Sequence, residues 1–262
     1  MRLRTIIIAV SVALSLWSAL FAFQRGRYRP YYSDEDGPVE TPADANEKTE
    51  WAFARLRYDS FRGPGNWTID YPKADRQFVQ GVRRLTRLHT RSVEQVVDLH
   101  SDEIYNWPWI YAVEVGYWDL SDAECKKLRD YLLRGGFLMV DDFHGTFEWQ
   151  GFLNGISRVF PDRGIVELQE NEPILHVLYD IDERVQVPGL AALYRGVTYE
   201  KDGIYPRWRA IYDDKGRIMV AICHNMDLGD AWEHADAPWY PEKYTTLAYR
   251  IGIDYIIYSM TH

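Results

Sequence analysis

Hydrophobic positions along this chain switch between a two-residue and a 3.6-residue period, and the switches mark its elements. Trp51-Ala52-Phe53-Ala54-Arg55-Leu56-Arg57-Tyr58 reads as a strand, with apolar and aromatic residues in alternation. A loop with Gly63-Pro64-Gly65 follows, and then Phe78, Val82, Leu85 and Leu88 recur at helical spacing, predicting a helix over 73–88. Two short apolar runs, 93–99 and 110–115, predict strands, and the second carries an acid unusual for a strand interior, Glu114. Ser121-Asp122-Ala123-Glu124 is a capping box: the serine oxygen can accept a free backbone N–H while the glutamate reaches back. Cys125, Leu128 and Leu132 then share one helical face, and Gly135 supplies a left-handed stop. Phe137-Leu138-Met139-Val140 comes next, an unbroken apolar run of the kind buried on both faces of a parallel sheet. Strand, helix and strand over 110–140 therefore predict a right-handed βαβ crossover.

Weaker patterns continue the same architecture. Phe152, Ile156 and Phe160 predict a helix over 148–160, residues 165–168 a strand, and Pro173 the start of a short helix. Runs over 208–212 and 217–223 flank Asp213-Asp214-Lys215-Gly216, a hairpin signal. Leu247, Ile251, Tyr255 and Tyr258 give an amphipathic final helix over 242–259. The expected fold is a three-layer α/β domain over 50–262. Its sheet is mostly parallel with helices on both faces, and a late hairpin and a C-terminal helix complete it.

Composition narrows the setting more than the chemistry. The chain has 262 residues, 47% apolar and 26% charged, enough beyond residue 50 for one domain with a real core. Aromatics reach 15%, with ten Trp and nineteen Tyr, which serve as core filling or as stacking surfaces. A net charge of −9 excludes a general nucleic-acid binder. The two cysteines, Cys125 and Cys223, have no metal-like spacing and read as buried thiols. Arg2 and Arg4 precede an uncharged stretch, Thr5 to Phe23, whose nineteen residues would span roughly 28 Å as a helix. Residues 1–23 are therefore expected to be an uncleaved membrane anchor, with a cleavable signal peptide as the alternative. Residues 24–49, basic and then acidic with Pro and Gly, are expected to be a disordered linker. Arg25, Arg27 and Arg29 compete with the amino-terminal charges over orientation. The short basic head favours a single pass through a bacterial inner membrane with the domain in the periplasm.

Polar residues gather where the apolar strands stop. Asp98 and His100 end one strand, Glu114 and Trp118 another, and Asp141, Asp142 and His144 follow 137–140. His224, Asn225 and Asp227 follow the hairpin, and join the others only if 217–223 runs parallel to them. In open α/β sheets ligands bind beyond the carboxyl ends of the strands. Asp141, Asp142, His144 and Glu114 are accordingly the candidates for catalysis. Asp142, His144 and His100 are the candidates for a divalent metal, since carboxylates and imidazoles are ordinary ligands. The same residues can instead cap the helix beginning near Thr146. Asp227, Asp230 and Glu233, inside Asp227-Leu228-Gly229-Asp230-Ala231-Trp232-Glu233, are candidate ligand-binding oxygens, or simply an Asp-capped turn before a short helix. Arg57, Trp118 and His224 complete the ligand-binding candidates. No Walker loop, no G-x-S-x-G elbow and no complete dinucleotide fingerprint occurs.

As a set, four motifs resemble a bacterial domain-of-unknown-function family, number 4159. They are Phe53-Ala54-Arg55-Leu56-Arg57-Tyr58; Leu120-Ser121-Asp122 running on to Gly136-Phe137-Leu138-Met139-Val140-Asp141-Asp142; Phe160-Pro161-Asp162-Arg163; and Asp227 to Glu233. The resemblance implies a fold similar to class I glutamine amidotransferases and other flavodoxin-like domains. It also agrees with an export signal or anchor. Amidotransferases carry a cysteine on a sharp turn after a buried strand, where this chain has Asp142-Phe143-His144. Thioester chemistry is therefore not expected. The expectation is a membrane-tethered domain that binds a ligand or an envelope protein without turnover. The alternative is a metal-assisted or carboxylate-based hydrolase at the same edge.

Overall fold

The structure, a computed structural model, describes residues 41–262. The expected anchor over 1–23 and the linker as far as residue 40 lie outside the described residues. Among those described, no helix is long and apolar enough to cross a membrane. The end of the expected linker is packed rather than free. Ala45 is fully buried, and the Asp44 carboxylate accepts from Ser92 N at 2.9 Å and pairs with Arg83 at 3.3 Å.

Seven strands form one sheet in the order β2-β1-β3-β4-β7-β6-β5. They are β1 (Ala54–Arg57), β2 (Gln95–Asp98), β3 (Trp109–Val113), β4 (Phe137–Asp141), β5 (Val166–Glu167), β6 (Arg207–Tyr212) and β7 (Ile218–His224). The run β2-β1-β3-β4-β7 is parallel, and β6 and β5 extend it antiparallel. The hairpin β6–β7 forms as predicted, and β7 runs parallel to β4, so its carboxyl end does join the others.

Because successive strand residues point to opposite faces, each central strand feeds two cores. Trp109, Tyr111 and Val113 enter a core with helices α1 (Lys73–Leu85), α5 (Leu228–Glu233) and α6 (Glu242–Thr261). Ile110 and Ala112 enter the opposite core with α2 (Asp122–Leu133) and α3 (Gly145–Val159). A further short helix, α4 (Leu190–Tyr194), lies in a stretch with no sequence prediction. The described part is thus a mixed α/β domain with a mostly parallel sheet.

Local chemistry explains where the elements differ from expectation. The capping box at Ser121 is complete, and Gly135 stops α2 at φ 107°. Helix α1 ends at Leu85 rather than Leu88, because Thr86 turns extended and its hydroxyl takes the Leu88 N–H at 3.1 Å. Helix α3 starts at Gly145, earlier than its apolar stripe indicates, because Glu148 reaches back to His144 N at 2.5 Å. Glu114 is not in a strand interior; it stands just past the end of β3.

Candidate active site at the carboxyl edge of the sheet

Three neighbouring parallel strands each end in a left-handed residue. Glu114 after β3 has φ 56°, Asp142 after β4 has φ 49°, and Asn225 after β7 has φ 63°. The register pairs Val113 with Asp141, so Glu114 and Asp142 are the next residues along two adjacent strands, which lie about 4.8 Å apart. Glu114 N donates to Asp141 O at 3.2 Å, Asp142 N to Met226 O at 3.1 Å, and Asn225 N to Phe143 O at 3.0 Å. These bonds hold the three turns against one another. The remaining non-glycine residues of positive φ among those described, Asp70 (60°) and Lys201 (54°), belong to the same end of the molecule. Such backbone costs about 1–3 kcal/mol per residue and collects where function demands it.

Around two of these turns, the elbows at Glu114 and Asp142, lies a largely buried network. His144 Nε2 sits 3.1 Å from Asp142 Oδ1. Glu148, buried on the first turn of α3, accepts from His144 N, from the Tyr117 hydroxyl and from Lys201 Nζ. Gly116 makes this possible, since a Cβ there would collide with Glu148. Glu114 Oε2 is buried with no hydrogen-bond partner. Burial, and then Asp142 and Glu148, push the Glu114 carboxyl up to about 9, against the partial relief of Lys201 and Arg62. Asp142 is also raised well above the usual range, by burial and then by Asp230 and Glu200. Burial lowers His144, so its ring is neutral at pH 7.

Asp141 plays a different part from its neighbour. Its Oδ2 accepts from Tyr111 OH at 3.0 Å and from Leu228 N and Gly229 N at 2.8 and 3.2 Å, closing the first turn of α5. Burial and then Asp142 raise it to about 7. Beyond it, the loop after β1 and the first turn of α5 bring Asp70, Asp227 and Asp230 together. Asp227 caps α5 through Oδ1, which accepts from Asp230 N at 2.7 Å. Asp230 Oδ2 accepts from Leu190 N at 2.5 Å. Burial and then neighbouring carboxylates raise Asp70 and Asp227 well above the usual range.

The sequence candidates divide accordingly. Glu114, Asp142 and His144 come together, and Asp227 and Asp230 lie beside them. Glu233 stands at the rim, 3.4 Å from His234. His224 is wedged between Phe143 and Trp149, ring centroids 4.9 and 4.8 Å away, with Nε2 on Gly145 O, and burial lowers it to about 4. Three candidates are elsewhere. His100, proposed as a metal ligand, is 67% exposed beside Glu124 at the end of edge strand β2, with β1 and β3 between it and β4. Arg57 pairs with Asp98 at 2.6 Å on that same edge. Trp118 is core, stacked on Phe152 at 5.3 Å.

The sequence reading missed Asp70, Glu148, Glu200 and Lys201 as site residues. Asp70 and the Glu200-Lys201-Asp202-Gly203 turn lie in irregular loops far from β4 in sequence, where no period marks them. Neither cysteine reaches an elbow: Cys125 is buried on α2, and Cys223 lies within β7 with its thiol raised by burial.

No curated protein matches the chain. A family model described as a domain of unknown function, DUF4159, matches residues 52–260, which takes in every strand of the sheet and both elbows. The chain belongs to the DUF4159 family.

Proposed function

We propose that this domain is a hydrolase working through the carboxyl pair Glu114 and Asp142. The observation that carries the reading is their placement: two carboxyls on left-handed elbows, in register at the ends of adjacent parallel strands. Two acids so close titrate as a unit, and at neutral pH the pair retains a proton. One member gives its proton to the leaving group, while the other, with neutral His144 3.1 Å from Asp142, receives the proton of the attacking water. Lys201 and Tyr117 fix Glu148, which in turn holds the turn that presents His144. Cysteine chemistry has no support, because both thiols are buried and burial raises that of Cys223. The strand order β2-β1-β3-β4-β7 supports the likeness to flavodoxin-like and amidotransferase-like folds, with acids where the cysteine would be.

The test is a panel of p-nitrophenyl esters, glycosides and phosphoesters presented to the full chain. Turnover of at least one class is the expected result. Glu114→Gln and Asp142→Asn should each lower kcat about 10²–10⁴-fold. A panel without turnover, or full activity in both variants, overturns the reading and returns the domain to binding without catalysis.

The uncharged stretch from Thr5 to Phe23, between arginine clusters, supports a single-pass tether in a bacterial inner membrane with the domain on the periplasmic side. An envelope protein is the partner such a tether brings within reach.

A further inference from the structure

Beside the elbows, carboxylates from the loop after β1 and from the start of α5 surround a space kept open by glycine. Asp70, Asp227 and Asp230 each offer one oxygen, and the three atoms lie within 4.8 Å of one another. A Cβ on Gly189 would stand 2.6 Å from Asp227 Oδ2, 2.9 Å from Glu200 Oε1 and 3.3 Å from Asp230 Oδ2. A Cβ on Gly229 would collide with Asp70 Oδ2. Two of these oxygens receive no donor from the protein, while Asp230 Oδ2 already accepts from Leu190 N at 2.5 Å. Asp70 Oδ2 is buried with no hydrogen-bond partner. Asp227, only 5% exposed, uses Oδ1 to cap α5 and leaves Oδ2 facing the Gly189 side without a donor among the described residues. Nor do nearby cations fill the space: Arg55 is held by Asp75 at 2.5 Å, and Lys201 by Glu148. Buried, unpaired carboxylate oxygens cost several kcal/mol unless a counter-ion meets them.

We infer that Asp70, Asp227 and Asp230, with Glu200 alongside, form a binding site for one hard divalent cation of the Ca²⁺ or Mn²⁺ class. All the donors are oxygens, which suits these ions and not thiophilic ones. Metal–oxygen bonds of about 2.0–2.6 Å fit between oxygens at this spacing. The ligand set differs from the Asp142, His144 and His100 set expected from the sequence. A neighbouring group, Asp230, Glu233 and His234, lies nearer the surface, and there His234 Nε2 already contacts both acids at 3.4 Å. The cation site stands independently of the hydrolase reading.

The probe is Mn²⁺, titrated calorimetrically into the full chain purified in detergent and stripped with chelator, with Ca²⁺ in competition. One equivalent should bind with an affinity of about 10⁻⁷–10⁻⁵ M. Asp227→Asn keeps an N-cap acceptor for Asp230 N and should still fold, yet weaken binding at least tenfold, on the order of metal-site losses. Gly189→Ala should do the same by filling the space. Glu114→Gln and Glu233→Gln should leave the affinity within about twofold, inside the tenfold scale that marks a lost ligand. No saturable binding up to millimolar Mn²⁺ or Ca²⁺, or unchanged affinity in Asp227→Asn, overturns the inference. Binding abolished by Glu233→Gln and kept by Asp227→Asn overturns it in favour of the surface group. Because Glu114→Gln spares the cation, a failure of hydrolysis and a failure of the cation site read out separately.

Discussion

Glu114 carries two costs at once, a left-handed backbone and a carboxyl whose Oε2 is buried without a donor. Its folded carboxyl holds a proton up to about 9, against an ordinary value of 4.5. Between those values the unfolded chain binds fewer protons than the folded one, so stability from this group falls as pH rises. Facing it are Asp142, Glu148, Lys201 and Arg62, and the acids outweigh the cations. Glu114→Gln removes the titration. Thermal denaturation should therefore show parent and variant close together at pH 4, with the variant gaining steadily at pH 6 and pH 8. A gap that stays constant would mean that the carboxyl ionises in the fold at its ordinary pH. At this scale the sequence was informative but incomplete. The acid at the end of an apolar run was visible, whereas its φ and its pairing with Asp142 depend on strand register. Asp70 gave no signal, because only the folded chain brings it near Asp227.

Helix α2 shows an element fully determined by its own residues. Ser121 Oγ accepts from Glu124 N at 3.3 Å while Glu124 Oε2 accepts from Ser121 N at 2.8 Å. Ser121→Ala should cost about 1 kcal/mol, read as a lower urea midpoint with an unchanged m-value. A change in m would point to a looser native or unfolded state rather than a lost cap. The hairpin β6–β7 is local in the same sense, with Asp213 N donating to Arg217 O at 2.8 Å across its turn. Helix α3 was less legible, since its first turn is organised backward from Glu148 to His144 N and not by a leading Ser, Thr or Asp. Helix α4 is five residues long and carries no repeat from which to be read. The fold class and most elements were thus readable locally, while the direction of β7 and the assembly of the acidic space were not.

Across the whole molecule, the order β2-β1-β3-β4-β7 brings the carboxyl ends of five parallel strands to one edge. Two cores hold that edge from either face. The proposed tether would place the domain in the periplasm. Protease added to spheroplasts should remove the domain while sparing a cytoplasmic marker; protection until lysis would place it on the other side. The three adjacent left-handed strand ends have one more consequence. Asn and Asp are, after glycine, among the side chains that occupy such backbone most readily. Asp142→Asn therefore removes a titratable group while suiting the same backbone, whereas the Asn225 amide is committed, accepting from Gly145 N at 2.8 Å and donating to Tyr205 O at 2.7 Å. At Asp142 the ionisation of this edge is thus a property that one substitution can adjust, leaving the architecture that displays it intact.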